Sequence, residues 1–283
     1  MKFGLIYNTA LAGTDPANLK AIARQADDLG FESFYMPELV TLYPGARVGE
    51  VEFAPDLPIA DPLECLAFVA ASTTTILLGT SVLLLPFHHP VGLAKRLATI
   101  DVLSRGRMRL LTIGVGSLPG AAGAVGIDYA TRGRRADEAI DVLRALWAGD
   151  ATGTSFDGEF YSFENVTSYP KPLQMLPIHV GGASAAAARR AGRRGDGFFP
   201  GGRLTPAERL AHIELMHTTA LAQGRDPEVL EYTRWGSIDM ERSSAEAYAA
   251  EGIDRLVVGT SSTDLNEQLR QLEAFATLHG LRR

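Results

Sequence analysis

Short apolar runs suited to β-strands alternate with helical stretches along this chain, and an alternation sustained through eight units is what most restricts its fold. The runs are KFGLIY from Lys2, FESFYMP from Phe31, TILLGTSVLLLP from Thr75, MRLLTIGVG from Met108, PIHVGG from Pro177, GFFP from Gly197, LEYTRW from Leu230 and DRLVVGT from Asp254. Helical segments follow them with start and stop signals of their own. Asp15-Pro16 opens the first and Gly30 closes it, Pro90 opens the third, and Gly149 closes the fourth. Capping boxes are read at Asp61 to Glu64, Thr205 to Glu208 and Ser243 to Glu246. The pattern predicts an α/β fold, a (β/α)8 TIM barrel rather than an open doubly wound sheet, with residues 1–283 as one domain. Two segments break the alternation. Residues 38–60 form a long loop carrying Tyr43 and Phe53, and loops of that length are usually functional or disordered. Residues 150–176 read as an insertion, with FDGEFYSF as a hairpin turning at Asp157-Gly158.

The stretch 90–116 shows most clearly where a ligand would sit. Leu93, Leu97, Ile100 and Leu103 recur at three- and four-residue spacing, as one buried helical face requires. Met108, Leu110, Leu111, Ile113 and Val115 then make a strand covered on both faces, ending in Gly114 and Gly116. A strand finishing in glycines leaves its backbone approachable at the end where α/β folds bind ligands. Asp101 and Arg107, either side of the Ser104-Arg105-Gly106 turn, are expected to tie this helix to its strand by a salt bridge.

Composition narrows the partners. A formal charge of −6 without any basic run argues against nucleic acid or an anionic membrane surface, and leaves a small-molecule substrate. No run of about 18 apolar residues is present and the chain enters a strand at once, so a cytoplasmic location is expected. Cys65 is the single cysteine, which excludes an internal disulfide or a thiolate metal cluster. His88 and His89 follow the third strand, but no HExxH-type spacing accompanies them, so no metal is expected.

Gly181-Gly182-Ala183-Ser184 joins a strand to an alanine-rich helix. There backbone amides and the helix dipole can converge on a phosphate; the same residues also suit a tight turn with Ser184 as helix cap. Gly201, Gly202 and Arg203 follow the next strand and can add a guanidinium to the same anion. No GxSxG, Walker or post-strand GxGxxG sequence occurs. A site rich in glycine and apolar residues but poor in acids and bases suits a bound cofactor that carries the reaction.

The segments LGTSVLLLPFHHP, LAKRLATIDVLSRGRMRLLTIGVG, RGRRADEAIDVLRALW, FDGEFYSFENVTSYPKPLQMLPIHVGG and DGFFP occur in this order, and over residues 1–205 the chain resembles the bacterial luciferase-like monooxygenase superfamily. It looks most like the branch using the deazaflavin coenzyme F-420, although the fold also takes FMN. The resemblance implies a (β/α)8 barrel with an insertion, commonly a homodimer, holding an isoalloxazine-type ring at the carboxyl ends of the strands. It implies a non-prolyl cis peptide at Ser81-Val82 against the ring, places Gly114 and Gly116 beside it, and gives Gly181, Gly182 and Ala183 to the phosphate. Two positions depart from the family pattern. Leu39 follows Glu38 where the family usually has a histidine, and Ser117 follows Gly116 where Trp or Glu is common.

The expectation from these residues is a deazaflavin-dependent hydride transfer to or from a small apolar substrate, with Glu38 or His88 as the acid–base group. An FMN-dependent monooxygenase and a non-catalytic flavin-binding protein are the alternatives.

Overall fold

The computed structural model describes residues 1–202 and 204–281. Eight strands close into a barrel: β1 (Lys2–Ile6), β2 (Ser33–Met36), β3 (Leu77–Leu84), β4 (Met108–Gly114), β5 (Ile178–Gly181), β6 (Gly197–Phe199), β7 (Glu231–Trp235) and β8 (Arg255–Gly259). Every neighbouring pair is parallel, and β1 closes the ring on β8 in the register Lys2↔Arg255 to Ile6↔Gly259. One long helix follows each strand on the outside, besides the short turns of helix Thr9–Ala12 and Pro119–Ala124: α1 (Pro16–Leu29), α2 (Pro62–Ala70), α3 (Pro90–Leu103), α4 (Arg132–Ala148), α5 (Ala185–Arg194), α6 (Pro206–Ala222), α7 (Arg242–Ala250) and α8 (Leu265–His279).

Local chemistry accounts for these boundaries. Asp15 caps α1 by accepting from Ala17 N, Pro16 takes the first helical position, and Gly30 ends the helix at φ 85°. Along α4, Ala136, Ile140, Leu143 and Trp147 face inward as their spacing predicts, and Trp147 Nε1 donates to Ala94 O of α3 at 3.1 Å. On α3, Leu93, Leu97 and Ile100 are buried, but Leu103 is 67% exposed because it is the last residue of the helix, beyond the reach of the core. Inside the barrel, Tyr35, Leu110, Phe199 and Val257 pack with Ile6, Leu77 and Trp235, so seven strands contribute to one plug. Gly4 and Gly79 make room for it: a methyl group on either would lie 2.8 Å from the Tyr35 ring.

Several local expectations are corrected. Asp101 and Arg107 are not paired. The Arg107 guanidinium donates to Ala70 O, Thr73 O and Ile76 O, which leave α2 and enter β3, because carbonyls at a helix end lack partners of their own. Asp101 instead receives Leu173 N from the insertion at 2.7 Å. The turn of the insertion is wider than Asp157-Gly158. Asp157 pairs with Ser162, because the Glu138 carboxylate of α4 gathers the N–H groups of Glu159, Phe160 and Tyr161 and holds the loop open. The capping box at Thr205 and Glu208 is complete, whereas Asp61 caps α2 but Glu64 turns to Arg96. Ser243 caps nothing; α7 begins one residue before it, at Arg242, with Glu241 at the N-cap, and Glu246 pairs with Arg242. Among the described residues no helix is long and apolar enough to cross a membrane.

Candidate active site

At the carboxyl ends of β2, β3 and β4 the chain encloses a cavity of about 200 Å³, walled mainly by apolar side chains and by Glu38. The long loop after β2 closes one side. It folds back as a small antiparallel ladder, Arg47–Val48 against Val51–Glu52, and brings Val48 and Phe53 to the cavity. Leu39 and Phe87 complete the apolar wall.

The opposite side is built by β3. A cis peptide joins Ser81 to Val82, and the β3–β4 register shifts there, between Ser81 and Leu83. The Val82 side chain lies between two glycines: a methyl group on Gly114 would lie 2.6 Å from Val82 Cγ2, and one on Gly181 2.5 Å from Val82 Cγ1. These glycines therefore seat Val82, and Gly114 also lines the cavity, where the sequence reading expected it. Gly116 has φ 80° and would meet the Phe87 ring at 2.9 Å with a methyl group. Sequence reasoning connected Ser81, Val82, Gly114 and Gly181 only through the resemblance; their mutual packing has no sequence signal.

Glu38 and His88, 50 residues apart, meet here: His88 Nε2 lies 2.7 Å from Glu38 Oε1. The other carboxylate oxygen accepts from Leu84 N, and Glu38 N donates to Val82 O at 3.2 Å. The Glu38 side chain is 3% exposed, and that of His88 15%. Glu38 lines the cavity, whereas His88 stands behind it. A buried carboxylate with an imidazole and an amide on its oxygens can hold a proton, pass one to the imidazole, or orient the ring through its tautomer. His89 has a different surrounding: it precedes α3 without a side-chain cap bond and meets Tyr161 edge-on at 5.6 Å.

The loop from Gly181 to Ser184 reaches the same mouth from β5. Gly182 has φ 101°, and Ser184 caps α5 by accepting from Ala187 N at 3.2 Å. Residues 182–186 are exposed, so the amino end of α5 opens to solvent. The β6–α6 loop lies alongside, since a methyl group on Gly202 would come 4.0 Å from Ala183 Cβ. Gly201, half-buried, has open space around its Cα. Arg203 lies outside the described residues. Among those described, no group of three or more His, Cys, Asp or Glu side chains is placed to hold a metal ion.

Val48, Phe87 and Leu118 belong to the cavity wall without any pattern in the sequence that singles them out, whereas Leu39 is already marked by its departure from the family pattern. The aromatics of the long loop were the one available signal, and Phe53 does line the cavity.

A model of the luciferase-like monooxygenase family matches residues 1–279. An uncharacterised protein of Mycobacterium tuberculosis is 32% identical over 203 residues, covering 69% of each chain. An F-420-dependent glucose-6-phosphate dehydrogenase from Beutenbergia cavernae is 37% identical over 198 residues, which is 68% of this chain and 55% of that one. A monooxygenase structure from Streptomyces bottropensis has the same fold, with a TM-score of 0.82 at 23% identity over 98% of both chains. So does an F-420-dependent secondary alcohol dehydrogenase solved with an F-420–acetone adduct, with a TM-score of 0.82 at 17% identity over 100% of this chain and 99% of that one. A family match from the first residue to the last barrel helix, on a closed eight-stranded barrel, has one consequence: the chain belongs to the luciferase-like monooxygenase family of enzymes.

Proposed function

We propose that the chain is an oxidoreductase that uses coenzyme F-420 to move a hydride to or from a small apolar organic substrate. The observation carrying this reading is the apolar cavity whose one acidic wall residue, Glu38, is buried and backed by His88. Named relatives that use F-420 support the choice of cofactor. The residues present fit such a group. The Val82 bulge and the apolar wall suit a flat ring, and the exposed amino end of α5 with Gly182 suits a phosphate. When bound, the deazaflavin supplies the hydride chemistry. The chain does the rest: Val82 and Phe87 keep water from the ring face, and Gly182, Ala183 and Ser184 anchor the phosphate, with Gly201 and Gly202 of the next loop alongside. Glu38 holds the proton that balances the hydride, and His88 orients the carboxylate and shares that proton. The imidazole missing at Leu39 is thus replaced from the turn after β3. We further propose that the enzyme works as a homodimer, as its family resemblance implies, and in the cytoplasm.

Fluorescence titration of the protein against deazaflavin and against FMN tests the cofactor. Tighter binding of the deazaflavin, with substrate-dependent change in its absorbance and no oxygen uptake, is expected. Oxygen uptake with reduced FMN and no turnover with the deazaflavin would assign a monooxygenase instead. Tight binding without turnover across a broad panel would leave a binding protein.

A further inference from the structure

A second cavity, of about 180 Å³, opens beyond the carboxyl ends of β6 and β7, with Pro200, Gly202, Leu204, Arg209, Arg234 and Trp235 in its wall. Its two arginines differ in how they are satisfied. Arg209 gives Nε and Nη2 to Glu251 Oε2 at 3.2 and 2.8 Å, and Nη1 to Leu204 O at 3.0 Å. Arg234 lies over Tyr248, its guanidinium carbon 3.7 Å from the ring centroid. Its Nη1 is sealed from solvent without an acceptor among the described residues. The Tyr232 hydroxyl, on a side chain of the same strand that is 2% exposed, is a second buried polar atom with no partner among the described residues, within electrostatic reach of both arginines.

Glu251 compensates Arg209, so among the described residues the charge of Arg234 is left over. Arg234 as a residue is half-buried, and a partly desolvated guanidinium without an acceptor is unfavourable. Water can accept from the part of the guanidinium that faces the cavity but cannot balance the charge. A carboxylate or phosphate does both, because its oxygens match the planar guanidinium fork. We propose that this cavity is an oxyanion site in which Arg234, stacked on Tyr248 and flanked by Arg209, holds a carboxylate or phosphate group. Gly202 in its wall adjoins Ala183, and Trp235 packs on Phe199 of the barrel interior at 4.7 Å, so the cavity is next to the mouth but separate from the Glu38 cavity. Two sources of the anion fit that position: an acidic group of the cofactor beyond its own phosphate, or an independent small anion. Only the choice between them rests on the deazaflavin reading.

Trp235 provides the readout, since the only other tryptophan, Trp147, is buried between α4 and α3. Inorganic phosphate added to cofactor-free protein is expected to change its emission saturably, and Trp235→Phe should abolish the signal. Arg234→Gln should weaken phosphate roughly tenfold or more, as loss of a charge-assisted fork requires. Leu204→Glu places a carboxylate in the wall and should block phosphate with Arg234 intact, so the test survives if Arg234→Gln does not fold. Arg234-dependent phosphate binding that persists in deazaflavin-saturated protein identifies an independent anion. Phosphate excluded by the deazaflavin, with deazaflavin weakened by Arg234→Gln, identifies the cofactor. Phosphate affinity unchanged in both variants overturns the site. Arg234-dependent phosphate binding in a protein that binds no deazaflavin would overturn the cofactor reading and leave this one standing.

Discussion

Glu38 can act on the cavity only because two strand ends bring it a backbone amide and an imidazole. Glu38→Gln keeps the shape and removes the exchangeable charge. Turnover is expected to fall by about 10²- to 10⁴-fold, the usual contribution of a general acid or base, with cofactor affinity within a few-fold. Full activity in that variant, measured by deazaflavin absorbance, would remove Glu38 from the chemistry. A different constraint holds Val82. Gly114→Ala drives a methyl group to 2.6 Å from Val82 Cγ2, a stiff β-branched side chain, and is expected to destabilise by about 1–3 kcal/mol. Adding Val82→Ala should return most of that loss, and urea melts of the two single variants and the double variant measure the coupling. Neither contact was legible from residue types. A glycine in a sequence reports a missing side chain but not which neighbour uses the space, and Glu38 and His88 become partners only when β2 and β3 lie side by side.

Strands and helices were far more legible, because their signals are local. Apolar runs, Asp-Pro starts and glycine stops depend on residues a few positions apart, and they place all eight barrel strands and the helices between them. What failed was local pattern overridden by a distant group. FDGE has the composition of a tight turn, yet Glu138 on α4 captures three N–H groups of the following residues and widens it. Glu138→Ala should therefore speed amide exchange across 154–166 while changing global stability by only about 1–3 kcal/mol, the effect of losing hydrogen bonds to one charged acceptor. Equal protection in native and variant protein would mean that the hairpin holds its own shape. The α5 loop calls for a different probe. Gly182 at φ 101° resists any side chain, so a substitution there would mix backbone strain with lost binding. Ala183 is exposed, and Ala183→Glu sets a carboxylate against the proposed phosphate. Deazaflavin binding weakened roughly tenfold or more at unchanged melting temperature is expected, from like-charge repulsion at a helix amino end.

Across the barrel as a whole, the two ends divide the work. The carboxyl ends of the strands hold the cavities discussed above, while the amino ends are closed by a charge network that the sequence reading did not identify. Arg255 pairs with both oxygens of Glu32 at 2.7 Å and with Glu231 at 2.9 Å, and His179 sits 3.7 Å from Glu231. Burial first, then repulsion from Arg255, holds His179 down at about 4, although Glu231, Asp196 and Glu32 pull the other way. Glu231 is held down at about 2; its own burial opposes this, but Arg255 and Lys2 prevail. The sign follows from proton counts. Between its ordinary value near 6.5 and about 4, an unfolded His179 carries a proton that the folded one refuses, so stability is full above that window and falls as pH drops through it. The loss amounts to something on the order of 3 kcal/mol. Below the ordinary carboxylate value of 4.5, Glu231 continues the decline toward about 2, because the folded state keeps the charge that the unfolded state gives up. His179→Gln keeps a polar side chain without the titration. Urea melts of native and His179→Gln protein from pH 7 to pH 4 should show a stability slope that flattens in the variant. Equal slopes would mean that His179 takes up its proton in the folded barrel as it does in the unfolded chain, its attraction to Glu231 offsetting its burial.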